Sequence, residues 1–109
     1  MIEALLGSIN KERVLVYLFA NGSGYARAIA DFFGTNLRNI QVQLDNLEAG
    51  GVVVSRQEGR TRLYEYNPRW PLRDELIALI KRLLDFYPQS EIERLFGGRK
   101  RPRRRGKPL

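Results

Sequence analysis

The chain has 109 residues, 43% of them apolar. That is enough for one small core and far from the composition of a disordered chain. It contains no cysteine and no histidine, which excludes disulfides, thiolate catalysis and cysteine metal sites, along with the usual general base and zinc ligand. Nineteen Lys/Arg stand against 12 Asp/Glu, a net charge of +7, and the whole excess lies at one end: residues 1–98 hold 12 of each sign, residues 99–109 hold seven cations and no acid.

The N-terminal MIEALLGSINKE lacks the basic start and long apolar region of a signal peptide. The longest apolar run, Val14–Ala20, is too short to span a bilayer. A cytoplasmic protein with no membrane contact is expected, nucleoid-associated if prokaryotic. Ile2–Leu6 reads as a turn or more of helix. Ser8 or Asn10 caps a second helix over about 10–20, apolar nearly all round after Arg13, as expected of a helix buried on more than one side. Asn21-Gly22-Ser23-Gly24 reads as a turn. A third helix, Tyr25–Phe33, places Ala26, Ile29, Ala30 and Phe33 on one face, with Arg27 and Asp31 on the other. Gly34 supplies its C-terminal stop.

Thr35 or Asn36 caps a fourth helix running to about Ala49, with Ile40, Leu44 and Leu47 as its inward stripe. Only about three residues separate the third and fourth helices, so the two must cross at a large angle, the geometry of a helix-turn-helix. Gly50-Gly51 ends the fourth helix. Val52–Arg56 and Thr61–Tyr66 are β-rich strands around a Gln57–Arg60 turn. Pro71 suits the first turn of a long helix to about Phe86, and Pro88 precedes a short last helix, Ser90–Phe96. The order is α-α-α-α-β-β-α-α: mainly α with a small β-hairpin. Residues 1–98 form the domain, and 99–109 a basic tail with too little apolar surface to order itself alone.

The ordered set Phe33-Gly34-Thr35-Asn36, Ile40, Leu44, Leu47-Glu48, Gly51-Val52-Val53, Arg56, Glu58-Gly59-Arg60, Arg62 and Tyr64 resembles winged helix-turn-helix transcriptional regulators of the ArsR-like and MarR-like kind. Tyr66-Asn67-Pro68, Pro71-Leu72 and Glu75-Leu76 are also similar to winged-helix modules found beside some small nucleotidyltransferases. The likeness runs from about Leu5 to Leu84. It implies a DNA-reading fourth helix, a wing, and a homodimer built by flanking helices, here the N-terminal segment and helix 71–86. Metal sensing in ArsR-like proteins uses cysteines, histidines and carboxylates; the first two are lacking here, so no metal and no cofactor is expected.

With the apolar stripe inward, the fourth helix turns Asn36, Arg38, Gln41, Val42 and Asp45 outward, with Leu37 at the edge; these positions match those that touch DNA in the resembling family. Arg38 suits guanine and Gln41 adenine, each through two hydrogen bonds, while Val42 or Leu37 suits a thymine methyl. Asn36 suits a phosphate at the helix start. Asp45 repels phosphates, yet is able to accept from cytosine N4. Arg56, Arg60 and Arg62 arm the hairpin, Arg60 at its turn. The tail adds Arg99, Lys100, Arg101, Arg103, Arg104, Arg105 and Lys107. Its Arg105-Gly106-Lys107-Pro108 is similar to the Arg-Gly-Arg-Pro core of an AT-hook with lysine in place of the middle arginine. A minor-groove strand and a sequence-blind polycation are both open readings, the second favoured. The sequence thus leads to double-stranded DNA binding by a transcriptional regulator and not to an enzyme. The alternative is a winged-helix protein-interaction module whose tail binds RNA or another polyanion.

Overall fold

The computed structural model describes residues 1–97. Six helices and three short strands follow in the order α1 (Glu3–Leu6), α2 (Ile9–Asn21), β1 (Gly24–Tyr25), α3 (Ala26–Phe33), α4 (Leu37–Ala49), β2 (Val53–Glu58), β3 (Thr61–Tyr66), α5 (Arg73–Leu84) and α6 (Gln89–Gly97). Each expected helix and both expected strands are present, with boundaries shifted by a few residues. The long helix starts at Arg73 rather than Pro71, and β2 runs on to Glu58, so the hairpin turns on Gly59-Arg60 alone.

Helix starts are set by local chemistry. Ser8 is extended, and its Oγ accepts from the backbone N–H groups of Asn10 and Lys11 at 3.0 and 3.2 Å, capping α2. Asn36 caps α4 in the same way, its Oδ1 accepting from the Asn39 N–H at 2.8 Å. Between α3 and α4 the chain turns within three residues. Gly34 takes a left-handed conformation (φ 65°), its N–H donates to the Asp31 carbonyl, and the Thr35 N–H reaches back to the Ala30 carbonyl. This paired closure satisfies the end of α3 and fixes the sharp bend into α4.

α2 forms the axis of the core. Val14, Leu15, Val16, Leu18 and Ala20 are all buried, and around them pack Ile29 and Ala30 of α3, Ile40, Leu44 and Leu47 of α4, Val53, Tyr64, Ile80, Leu83, Leu84 and Leu95. A helix apolar nearly all round after Arg13 is thus covered nearly all round, with Tyr17 and Phe19 half-buried. The Tyr66 hydroxyl donates to the Leu15 carbonyl at 2.6 Å and pins β3 to this axis.

The sheet has three strands in the order β1-β3-β2, where the sequence pointed to a hairpin only. β1 pairs Gly24 with Tyr64 and Tyr25 with Leu63, antiparallel. Two residues with a glycine carry no alternation, so this strand leaves no periodic trace in the sequence. Gly24, expected in a turn, is buried strand; a Cβ there would stand 2.8 Å from Tyr17 Cε1. Its small size lets β1 lie against α2, which ties the start of α3 to the hairpin.

Candidate nucleic-acid interface

The exposed side of α4 is the outer face of the helix-turn-helix. Ile40, Leu44 and Leu47 point into the core. Asn36, Arg38, Gln41, Val42 and Asp45 are exposed, and Leu37 is half-buried at the edge, so helical spacing sorted this face as expected. Arg38, Gln41 and Asp45 have no hydrogen-bond or ion-pair partner among the described residues, and their polar atoms are available to a ligand. Asn36 is partly committed: its Oδ1 holds the cap, and only its amide nitrogen is left to donate. Glu48 does not point with this row. It is half-buried, and its Oε2 accepts from Ser55 Oγ at 2.8 Å, facing the hairpin.

On the hairpin the three expected arginines take different positions. Arg60 sits at the tip beside Gly59, whose left-handed φ of 65° permits the two-residue turn; among the described residues nothing pairs with it. Arg62 lies on β3, donating from Nε to Ser55 Oγ at 2.9 Å and from Nη1 to Gln57 Oε1 at 3.0 Å. Ser55 thereby links Arg62 of the hairpin to Glu48 of α4. Arg56 is clasped by Glu58 (2.7 Å) and Glu65 (3.1 Å), so an incoming phosphate would have to displace two carboxylates. The seven tail cations from Arg99 to Lys107 lie outside the described residues.

Between the hairpin, the start of α3 and α4 runs a groove of about 360 Å³, lined by Tyr25, Ala26, Arg27, Leu37, Gln41, Arg60, Thr61, Arg62 and Tyr64. Arg27 is the residue that sequence reasoning passed over. It lies opposite the apolar face of α3, as the spacing requires, but that side of the helix opens on the groove and not on empty solvent. Only the fold, through the β1–β3 pairing, shows this. The Tyr64 hydroxyl at the same wall is raised above its ordinary pKa, first by burial and then by the charges of Asp45 and Glu48. It is therefore a neutral donor at physiological pH.

Among the described residues no group of three His, Cys, Asp or Glu side chains gathers as metal ligands, and no helix is long and apolar enough to cross a membrane.

Solved structures with the same layout cover most of the chain. The homodimeric winged helix-turn-helix DNA-binding domain Mb0332 from Mycobacterium bovis, a possible ArsR-family transcriptional regulator, matches with a TM-score of 0.56 at 27% identity, over 77% of this chain and 75% of that one. The chain has a winged helix-turn-helix fold. In this winged helix α3 and α4 are the helix-turn-helix pair, α4 is the outward helix, and β2–β3 is the wing. Two further structures share the fold. The YusO protein from Bacillus subtilis does so at 18% identity and a TM-score of 0.58, over 84% and 72% of the two chains. The adhesin competence repressor from Streptococcus pyogenes does so at 15% and 0.52, over 84% and 80%. No protein-family model matches the sequence, and neither does any curated protein.

Proposed function

We propose that this winged helix is a homodimeric, sequence-specific double-stranded DNA-binding protein acting as a transcriptional regulator in the cytoplasm. The observation that carries this reading is the α4 face: Arg38, Gln41 and Val42 stand exposed, the two polar ones unpartnered, beside an unpartnered arginine at the wing tip. In a major groove Arg38 addresses guanine, Gln41 adenine and Val42 a thymine methyl, while Asp45 favours a cytosine amino group and opposes phosphates. Arg60 reaches the backbone or minor groove, and the tail from Arg99 to Lys107 supplies attraction without sequence. The likeness to a homodimeric DNA-binding domain and to a repressor supports both the activity and the assembly.

Selection of bound duplexes from a random pool by the full chain tests the reading directly. A shared sequence is expected. On that duplex Arg38→Ala and Gln41→Ala should each cost roughly 1–3 kcal/mol and relax preference at particular base pairs. Removal of residues 99–109 should instead weaken binding to every duplex and flatten its salt dependence, by about 0.9 log units per lost phosphate contact. A pool that yields no preferred sequence at moderate salt would reject specific DNA recognition and favour a protein-interaction module with a polyanion-binding tail.

A further inference from the structure

The groove between α4, the wing and the start of α3 stands apart in its charge. Three guanidinium groups, Arg27, Arg60 and Arg62, line it with no carboxylate among the lining residues, the charges of Asp45 and Glu48 acting on it only from behind Tyr64 and Ser55, although cations and acids are equal in number over residues 1–98. Three other grooves on the described residues pair cations with acids. Arg73 shares one with Glu65, Arg13 one with Glu12 and Glu91, and Lys81 one with Asp85. Arg27 and Arg60 have no partner among the described residues, and Arg62 keeps Nη2 free. Arg27 also sits in the first turn of α3, where Tyr25 offers no side-chain cap and no acidic residue is present. A cation at that end opposes the helix dipole, so the local field favours an incoming anion.

The shape says which anion. A helix in the major groove and a wing reaching the adjacent minor groove lie on opposite sides of one sugar–phosphate strand. The cleft between them must therefore straddle that strand. The geometry points to a seat for a single DNA backbone phosphate, held by Arg27 from α3 and by Arg60 and Arg62 from the wing, with Arg27 a DNA contact that sets the register of α4. This assignment rests on the DNA-binding reading above and adds a residue and a ligand group to it. Guanidinium forks match phosphate oxygens in pairs, and a contact shared by α3 and the wing fixes orientation while carrying no sequence information itself.

The test uses the full chain and the selected duplex, with affinity measured by fluorescence anisotropy across salt concentrations. Arg27→Gln should make the slope of log K against log salt shallower by about 0.9 for each protomer bound, and Arg27→Lys should retain most of it. Lys81→Gln, an equal change of charge on exposed α5 outside the groove, should leave the slope unaltered. Neutral methylphosphonate at one particular phosphate should weaken the wild type, and Arg27→Gln should lose less from that replacement, since Arg60 and Arg62 still face the phosphate. An Arg27→Gln slope equal to wild type, with duplex binding intact, overturns the phosphate seat and leaves the DNA reading standing. Failure of the wild type to bind any duplex overturns both. Inorganic phosphate at constant ionic strength that displaces duplex from the wild type but not from Arg27→Gln would assign the seat to a free anion and overturn the backbone assignment.

Discussion

At the scale of single residues, Glu12 is the group most at odds with its surroundings. It is a carboxylate 1% exposed inside an otherwise apolar core. Such a group is tolerable only if its acceptor positions are filled, and they are: Oε1 accepts from the Met1 ammonium at 2.7 Å and the Ile2 N–H at 2.8 Å, Oε2 from the Tyr87 hydroxyl at 2.5 Å. Tyr87→Phe removes one donor from a buried charge and should cost about 1.5–3 kcal/mol in urea unfolding. The pH dependence has a definite sign. Burial first, and the bond to Glu12 second, raise the Tyr87 pKa above its ordinary 10.0; burial likewise raises Tyr66. A raised pKa in the folded state stabilises the protein fully below the unfolded value, and that contribution is lost as pH climbs beyond it. Urea midpoints should therefore fall as pH rises above about 10, and Tyr87→Phe should show a shallower fall; equal slopes would remove Tyr87 from the account. Sequence reading singled out nothing at Glu12, because a glutamate near the start of a helix is ordinary. Its burial follows from the N-terminal segment and the α5–α6 connection closing over it, both matters of tertiary structure. Arg27 was passed over, and Gly24 read as a turn, for a related reason: each owes its role to the pairing of β1 with β3, a contact across about forty residues.

At the scale of elements, the outward helix was legible because a 3.6-residue period and a capping asparagine are local signals, and both operate here. Its relation to the wing was not legible. Ser55 donates to Glu48 and accepts from Arg62, so one hydroxyl joins α4, β2 and β3. This bridge engages Glu48 with the wing and keeps it off the reading face. Ser55→Ala should cost about 1 kcal/mol of stability or less, since the site is half open to water. It should weaken DNA binding by a comparable amount, because the freed wing must be ordered on association. Thermal melting alongside anisotropy separates the two effects, and a variant that binds as tightly as wild type would show the bridge to be idle.

At the scale of the whole molecule, apolar side chains remain uncovered on the N-terminal segment and just beyond α5. Leu5 is 70% exposed and Phe86 56%, with Met1 and Ile9 exposed near them; Met1, Ile9, Phe33, Phe86 and Tyr87 line a single groove. These fall in or beside the N-terminal segment and the end of helix 71–86, the parts expected to join two copies. The double variant Leu5→Glu, Phe86→Glu should sediment as a monomer where the wild type sediments as a dimer. It should also bind a two-half-site duplex more weakly while keeping its affinity for a half-site, since two reading helices about 34 Å apart act together only when linked. A monomeric wild type would overturn the dimer.

α2 touches most of the other helices: Glu12 at its first turn holds Tyr87, and the helix packs against α4, α5 and α6. Its buried residues Val14, Leu15, Val16, Leu18 and Ala20 cannot reach water while the rest stays folded. Local opening is therefore left to elements such as the wing tip, and the central amides of α2 exchange hydrogen only when the entire domain opens. The slowest-exchanging protons of the molecule thus report its global unfolding free energy, and any ligand that binds only the folded form should slow them by the full factor of its binding.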